Sequence, residues 1–383
     1  MSNINELQLA KELIKFPSVT PVDAGVMKFL EKKLKKLGFK TKILEFKEKG
    51  FKPVKNLYAR FGTKGPNLCY AGHLDVVPPG NIKDWTINPF RPSIKKGHLI
   101  GRGANDMKSS IAAFVSAVSI FLSQNKKFNG SISLLITGDE EGDAVNGTKK
   151  VVEYLKRKKE KINFCLVGEP TNPNKLGEMI KIGRRGSLSG NLTIIGKRGH
   201  VAYPNQAINP IHTSSKFIND IINCKWDNGN SDFPPTSFQI SNVHAGDGAN
   251  NVIPEEIKIL FNFRYSPETT VIKLKEKVLE ILERHQIKYK IDWSHSGEPF
   301  YTKKGKLTEI ISRSIQKHTK LYPTLSTIGG TSDGRFFKDV SSEIVEFGVT
   351  NKTIHSINEC VNIHDVTLLS KIYKEILIEI NKQ

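Results

Sequence analysis

The sequence predicts an α/β protein, namely an α/β/α sandwich that is interrupted by an α+β domain of ferredoxin-like fold. In the first half of the chain, apolar strand segments alternate with amphipathic helices, which is typical of a largely buried sheet covered by helices. In the middle, the predicted elements follow the order β-α-β-β-α-β, which is typical of the ferredoxin-like fold. We therefore expect the sandwich to comprise residues 1–184 and 298–383, and the inserted domain to comprise residues 185–297.

The elements of the sandwich are predicted from the spacing of apolar residues. Helical spacing of apolar residues, or a run rich in Ala and Ser, predicts helices at 5–15, 24–37, 107–124, 307–319 and 365–382. Apolar runs predict strands at 68–77, 131–141, 162–170 and 341–349. The first three strand segments end in charged residues, and open α/β sheets place their active sites at that end of the strands.

The elements of the inserted domain are predicted in the same way. Strand-like segments occur at 187–197, 237–246, 256–266 and 288–297, and helical segments at 209–223 and 269–286. In the second helix Val271, Leu274, Val278 and Leu282 share one face, so this helix is strongly amphipathic.

The composition is that of an ordinary soluble globular protein, with 38% hydrophobic and 25% charged residues. No stretch approaches the roughly 18 uninterrupted apolar residues of a membrane span. The N-terminal segment lacks an apolar signal-peptide core and contains Glu6 and Glu12. The four cysteines are scattered without a CxxC pair, which favours reduced thiols. We therefore expect a cytoplasmic protein that does not contact membranes.

The net charge of +20 arises from 58 basic and 38 acidic residues and has three interpretations. The lysines can form the solvated faces of helices, since they alternate with apolar residues at helical spacing. The charge can attract a small anionic substrate. It can also indicate a nucleic-acid-binding protein, but that class needs basic residues clustered with aromatic ones, and the sequence shows no such cluster.

Five segments place His, Asp or Glu at the end of a predicted strand or in a loop. These residues are His73, Asp75, Asp106, Glu140, Glu141, Glu169 and His355. Each has an ordinary interpretation when taken alone: Asp106 can cap a helix, adjacent acids in a turn are often only solvated, and a single late histidine is often exposed. Together, two histidines and several carboxylates predict a dinuclear metal site, because N and O ligands suit zinc, cobalt or manganese.

Two pairs within these segments have a more specific chemical interpretation. His73 and Asp75 are two residues apart on an extended segment, so their side chains point to the same side and Asp75 can orient a histidine ligand. Glu140 and Glu141 are adjacent and point in different directions, so one can bind a cation while the other acts as a general base. The sequence contains no GxSxG, Walker A or GxGxxG motif.

Four motifs occur along the chain in the order GHLDVVPPG, GRGANDMKSS, GDEEGDAVNGT and GEPTN. In these motifs, and through nearly the whole chain, the sequence resembles the M20 metallopeptidase and deacylase family. The resemblance implies two zinc ions per subunit, for which cobalt can substitute. One departure is Asn105, where the family usually has a small or acidic residue. The resemblance also implies a cis peptide bond between Asp106 and Met107.

The resemblance implies a role for each candidate residue of the metal site. His73 and Glu169 would hold one zinc ion, and Glu141 and His355 would hold the other. Asp106 would bridge the two ions, and Asp75 would orient His73. Glu140 would take a proton from the attacking water and pass it to the leaving amine.

Two further segments, GRRGSLSGNLTIIGKRGHVAYPNQAINPIH and GGTSDGRF, resemble those of a deacylase branch within the family. They imply that His200 stabilises the oxyanion in the active site of the partner subunit. They also imply substrate contacts from Arg184, Ser187, Asn250, Asn251, Gly330 and Thr331. An open alternative for the last four is turn chemistry, because Asn and Gly are common in turns.

The activity that this branch implies is hydrolysis of N-succinyl-LL-2,6-diaminopimelate to succinate and LL-2,6-diaminopimelate, a step in diaminopimelate and lysine biosynthesis, by a homodimer. The three carboxylates of that substrate fit an arginine in the pocket and a positive field. The nearest alternative is another deacylase of the family, for example one that removes the acetyl group of acetylornithine. A metal-binding scaffold without catalysis would lack the general base, whereas Glu140 is present.

Overall fold

The structure is a computed structural model that describes residues 3–125 and 128–382. The chain divides into two units by its internal contacts. Unit 1 consists of the described residues up to Gly183, the segment Tyr301–Ser326 and the residues from Ser332 onward, and unit 2 consists of Arg184–Phe300 and Thr327–Thr331. Among the described residues, no helix has both the length and the apolar character that crossing a membrane requires.

The secondary structure is as follows. The α-helices are α1 (Glu6–Ile14), α2 (Val26–Lys36), α3 (Lys108–Gln124), α4 (Thr148–Arg157), α5 (Pro210–Ile222), α6 (Val271–Arg284), α7 (Lys306–Thr319) and α8 (Ile363–Asn381). The strands are β1 (Lys40–Phe46), β2 (Val54–Phe61), β3 (Asn67–His73), β4 (Ser93–Lys95), β5 (His98–Ile100), β6 (Ser131–Thr137), β7 (Ile162–Val167), β8 (Met179–Lys181), β9 (Gly183–Arg184), β10 (Gly186–Ile195), β11 (Gly199–His200), β12 (Ser237–Ala245), β13 (Val252–Ile253), β14 (Glu256–Tyr265), β15 (Tyr289–Gly297), β16 (Phe300–Tyr301), β17 (Thr324–Ser326), β18 (Ser341–Glu346) and β19 (Cys360–Asn362).

Unit 1 is built around a mixed sheet of eight strands in the order β1-β2-β6-β3-β7-β18-β8-β17. The four central strands β6, β3, β7 and β18 are parallel to one another. Every residue of β3 and β6 is buried, as expected for strands that are covered on both faces. Helix α3, rich in Ala and Ser and almost entirely buried, packs against α1 and α8.

Unit 2 is built around an antiparallel sheet of four strands in the order β12-β14-β10-β15. Alternate residues of β14, from Ile257 to Tyr265, are buried in a core that also contains apolar residues of α5 and α6. With the element order β10-α5-β12-β14-α6-β15, this is the ferredoxin-like fold. The predicted fold class, an α/β sandwich with an inserted α+β domain, is therefore confirmed.

The structure differs from the predicted elements in several respects. Strands β3, β6 and β7 end earlier than predicted, before the acidic residues, so those residues lie in loops at the edge of the sheet. The antiparallel strands β1 and β2 were not predicted. Thr327–Thr331 lies with unit 2 rather than the sandwich, because Arg264 Nη1 donates a hydrogen bond to Thr331 Oγ1 (2.8 Å) and Thr327 donates one to the main chain of Asp232.

The packing of unit 2 gives a stability prediction at Gly190. Gly190 lies opposite Phe261 in the β10–β14 register, and a Cβ atom at position 190 would overlap the Phe261 ring. Gly190→Ala should therefore lower the free energy of unfolding by about 1–3 kcal/mol, as overpacking usually does. Urea unfolding followed by fluorescence measures the change. Combined with Phe261→Leu, which makes room, the loss should be smaller than the sum of the two single losses. Additive losses would contradict the assigned contact.

Candidate metal centre

The sheet of unit 1 places the predicted ligands at one edge. His73 is the last residue of β3, Glu140 and Glu141 follow β6, and Glu169 follows β7. These three strands are parallel neighbours, so their carboxyl ends meet at the same edge. Asp106 shortly precedes α3, and the peptide bond between Asp106 and Met107 is cis, as predicted. His355 lies in the loop between β18 and β19.

His73 is the buried centre of this cluster, with a side-chain exposure of 1%. Its Nε2 lies 3.0 Å from Asp106 Oδ1 and 3.6 Å from Glu169 Oε1. Its Nδ1 lies 2.9 Å from the main-chain oxygen of Asp75. The second ring nitrogen is therefore engaged by a main-chain carbonyl group, and Nε2 faces the carboxylates.

The two oxygens of Asp106 face two different imidazoles. Oδ1 lies near His73, whereas Oδ2 lies 3.7 Å from His355 Nε2. The same His355 nitrogen lies 3.1 Å from both carboxylate oxygens of Glu141. A carboxylate that faces one histidine with each oxygen has the arrangement that a shared ligand of two cations needs.

The donor atoms fit a cation site. The ligand atoms of His73, Glu140 and Glu169 lie within 4.8 Å of one another, and so do those of His73, Asp106 and Glu141. Four carboxylates this close repel one another in the metal-free chain, and a divalent cation would remove that repulsion. Mixed imidazole and carboxylate donors suit zinc and related ions.

The pKa shifts in the metal-free chain follow from this crowding. Burial raises the pKa of Glu140 well above 4.5, and the charge of Glu169 raises it further. Burial opposes the charged form of His73, but the hydrogen bond with Asp106 and the charge of Glu169 raise its pKa well above 6.5. The hydrogen bond with Glu141 raises the pKa of His355 above 6.5. Each of these groups therefore holds its proton more readily than the same side chain in water.

The carboxylate of Asp75 contacts the loop of Glu140 and Glu141 more closely than it contacts His73. It accepts hydrogen bonds from the main-chain N–H groups of Glu141 (3.0 Å) and Glu140 (3.3 Å) and from Thr20 Oγ1 (2.6 Å). Its distance to His73 Nδ1 is 3.7 Å. Asp75 thus fixes the loop of Glu140 and Glu141 with its carboxylate and the imidazole ring of His73 with its main-chain oxygen. Sequence reasoning missed Thr20, whose SVTP segment has no feature that points to a site.

The residues predicted to contact the substrate all belong to unit 2, where they form two groups. His200 on β11 pairs with Val252 on β13, which brings it next to Asn250 and Asn251, and its side chain is exposed. Its Nδ1 accepts a hydrogen bond from the main-chain N–H of Ala202 (3.1 Å).

The second group contains Arg184, Ser187, Gly330 and Thr331. Ser187 lies opposite Arg264 in the β10–β14 register, and Arg264 donates to Thr331. Ser187 also accepts a hydrogen bond from Asn262 Nδ2 (3.1 Å). Sequence reasoning missed Arg264 and Asn262, which lie on alternate positions of β14 and whose outward-facing, polar character was the available signal.

Comparison with known proteins connects this site to a family. The model of peptidase family M20/M25/M40 matches residues 69–379. The chain is 58% identical to the succinyl-diaminopimelate desuccinylase of Pelagibacter ubique over 381 residues, which covers 98% of this chain and 99% of that protein. It is 51% identical to the enzyme of the same name from Methylobacillus flagellatus over 368 residues, covering 96% and 97%. Its fold is similar to that of an M20 family metallo-carboxypeptidase from Sulfolobus solfataricus, with a TM-score of 0.84, 20% identity and full coverage of both chains.

The raised histidine pKa values predict that Zn²⁺ binding releases protons at about pH 7. His73 and His355 have pKa values above 6.5 in the metal-free chain, and both must be neutral to bind a cation. The apparent affinity for Zn²⁺ should therefore rise as the pH is raised through these pKa values and fall as it is lowered. Isothermal titration calorimetry in buffers of different ionisation enthalpy counts the released protons. His355→Gln should release fewer, and zinc binding without proton release would contradict the protonated state.

Proposed function

The chain belongs to peptidase family M20/M25/M40, and on that premise we propose that it hydrolyses N-succinyl-LL-2,6-diaminopimelate to succinate and LL-2,6-diaminopimelate. The proposed substrate is supported by the 58% sequence identity with a succinyl-diaminopimelate desuccinylase over almost the whole length of both chains. The fold neighbours include a carboxypeptidase at 20% identity, so the fold alone does not select a substrate. The reaction places the enzyme in diaminopimelate and lysine biosynthesis.

We propose that two zinc ions occupy the centre and that cobalt can replace them. His73 and Glu169 would hold one ion, Glu141 and His355 the other, and Asp106 both. The two Asp106 oxygens, each facing one imidazole, support this assignment. When bound, such cations polarise the amide carbonyl group and make a water molecule more acidic.

Glu140 is the proposed general base and acid. It accepts a proton from the water molecule as the water oxygen bonds to the amide carbon, and it returns this proton to the nitrogen as the C–N bond breaks. The products are succinate and the free amine. Burial and the charge of Glu169 raise the pKa of Glu140, so its carboxyl group holds a proton more readily than an exposed glutamate. Asp75 keeps the group in place through the main chain.

Unit 2 supplies the proposed contacts to the substrate. Arg184 is buried and suits bidentate contact with a carboxylate. We assign Ser187, Gly330 and Thr331 to the same substrate end, because the β10–β14 register and the hydrogen bond from Arg264 bring them together. Asn250 and Asn251 are assigned to the substrate from the family resemblance.

We propose that the chain acts as a homodimer in which His200 of one subunit stabilises the oxyanion in the site of the other. Because Nδ1 of His200 accepts a hydrogen bond, its Nε2 carries the proton and can donate. We also propose a cytoplasmic location, which is supported by four free cysteines, two of them buried.

The substrate proposal is tested by turnover of the metal-free protein with Zn²⁺ added back. Zinc-dependent cleavage of N-succinyl-LL-diaminopimelate but not of N-acetylornithine is expected, because the proposed pocket binds the extra carboxylates. Zinc-dependent cleavage of the acetyl substrate alone would overturn the pocket assignment and retain the metal centre. Cleavage of neither substrate with two zinc ions bound would overturn the proposed reaction.

The variant Glu140→Gln should bind both metal ions and lose turnover by about 10²–10⁴-fold, the range over which general acid–base catalysis contributes. Metal content by mass spectrometry and kcat by a spectrophotometric assay are the measurements. The control is Glu276→Gln on the exposed face of α6, which should keep normal turnover. Full activity of the Glu140 variant would refute the general-base role.

The variant His200→Ala should lower kcat by about 10²–10³-fold with unchanged metal content, as loss of an oxyanion donor does. If His200 acts in the partner's site, mixing this variant with Glu140→Gln subunits restores about a quarter of normal activity. In a random mixture, half of the dimers contain one subunit of each variant. Each of these dimers has one site with both Glu140 and the partner's His200 intact, and one site with neither. No restoration upon proven subunit exchange would place His200 outside the partner's site, and loss of zinc from His200→Ala would contradict the oxyanion role.

A further inference from the structure

Glu359 is a buried carboxylate, 1% exposed, whose two oxygens together accept four hydrogen bonds. Oε1 accepts from the main-chain N–H groups of Asn105 (2.7 Å) and Asp106 (3.0 Å). Oε2 accepts from the main-chain N–H of Gly103 (3.0 Å) and from Arg102 Nη1 (2.8 Å). Hydrogen bonds to a charged acceptor are about twice as strong as neutral ones. The loop that ends in Asp106 is thus held by one side chain from a distant segment.

Arg102 extends this connection to the loop of His355. The guanidinium group is 2% exposed, and its Nη2 donates to the main-chain oxygens of Pro78 and His355, both at 3.4 Å. The guanidinium carbon of Arg102 lies over the ring of Trp85, 5.2 Å from the ring centroid. Arg102 and Glu359 therefore form a buried ion pair that contacts the segments of both Asp106 and His355.

A small sheet aligns the same two segments. Strand β5 leads into the 101–106 loop, and β19 follows Glu359 directly, with Cys360 opposite Ile100 in their antiparallel register. Asn105 adds a bond from the other side, since its Nδ2 donates to the main-chain oxygen of Thr350 (2.7 Å). The loop of Asp106 and the segment of His355 are thereby connected by both main-chain and side-chain hydrogen bonds.

We infer that Glu359 is a positioning residue of the metal centre. It fixes the main chain of Asp106 so that this carboxylate faces His73 and His355 at once, and it lies on the same turn-and-strand segment as His355. Outer partners of metal ligands typically contribute about 10–100-fold to metal affinity. The inference rests on the proposed metal centre and adds to it a residue that contacts neither metal nor substrate.

The effect should differ between the two cation positions. His73 and Glu169 are attached to β3 and β7 of the central sheet, whereas the side-chain hydrogen bonds of Glu359 go to residues 102–106. Glu141 and His355 lie in loops, and His355 depends on the segment that Glu359 joins to Asp106. Loss of the Glu359 carboxylate should therefore weaken the cation held by Glu141 and His355 more than the cation held by His73 and Glu169.

The test is Glu359→Gln, in which an NH₂ group faces N–H donors in place of one oxygen. Metal-free protein is titrated with Zn²⁺ against a chromophoric chelator, which gives two stepwise dissociation constants. We expect the step that His355→Gln also weakens to lose about 10–100-fold and the other step clearly less. Titration with Co²⁺ should show an altered visible absorption spectrum for one equivalent and not for the other.

A matched control separates positioning from general stability. Asp227 in unit 2 also accepts four hydrogen bonds, from the main-chain N–H groups of Gly229 and Thr236 and from the hydroxyl groups of Thr236 and Ser266. Asp227→Asn should lower thermal stability and leave both Zn²⁺ dissociation constants unchanged. An equal loss of Zn²⁺ affinity in this control would show that destabilisation alone accounts for the effect and would overturn the inference.

A double variant keeps the test decisive if Glu359→Gln does not fold, because that change leaves the buried charge of Arg102 unpaired. Arg102→Met with Glu359→Gln removes both charges and avoids this penalty. The Zn²⁺ step that depends on His355 should still lose at least about tenfold in this variant. Two zinc constants equal to those of the unaltered chain, in either variant, would overturn the inference, whereas an unaltered chain that binds no zinc would overturn the proposed metal centre itself.

Discussion

Mutual repulsion among the four carboxylates near His73 is the constraint on which the architecture of unit 1 depends. Asp106, Glu140, Glu141 and Glu169 have ligand atoms within 4.8 Å of those of His73, and in the metal-free chain this crowding opposes folding. The fold holds these carboxylates on three separate segments, which follow β6, follow β7 and precede α3. Main-chain N–H groups then bind the outer acids Asp75 and Glu359, which fix the loops in turn. Rigid placement of these loops and a bound cation would therefore both counter the repulsion among the four carboxylates.

Most of the fold was predictable because its strong periodicities are local. The apolar runs of β3, β6 and β7 and the alternation in β10 and β14 determine their own type of structure. The ends of the strands were not predictable, since acidic residues at a strand end look the same whether they continue the strand or enter a loop. Strands β1 and β2 escaped prediction because lysines interrupt their pattern, and they are stabilised by non-local pairing, β1 with β2 and β2 with β6.

The ligand types of the site were predictable, but their contacts were not. A histidine two residues before an aspartate suggested that Asp75 orients His73 through its carboxylate, whereas its main-chain oxygen is the nearer group, at 2.9 Å. That difference depends on how the chain turns after β3, which no local pattern encodes. Glu359 lies four residues after His355 and was not singled out, because a buried acid is recognised only when its donors, far away along the chain, are known.

The insertion of unit 2 into unit 1 has a consequence for biosynthesis. Every carboxylate ligand leaves the ribosome before Arg184–Phe300 does, whereas His355, Glu359 and strand β18 follow it. At about 5–20 residues per second, the interval between Glu169 and His355 lasts roughly 10–40 s. Throughout that interval β7 lacks the parallel neighbour β18 and presents a free strand edge, the kind of surface that invites aggregation. During that period a nascent chain has every carboxylate of its acidic cluster, while the sheet is still open at the edge of β7.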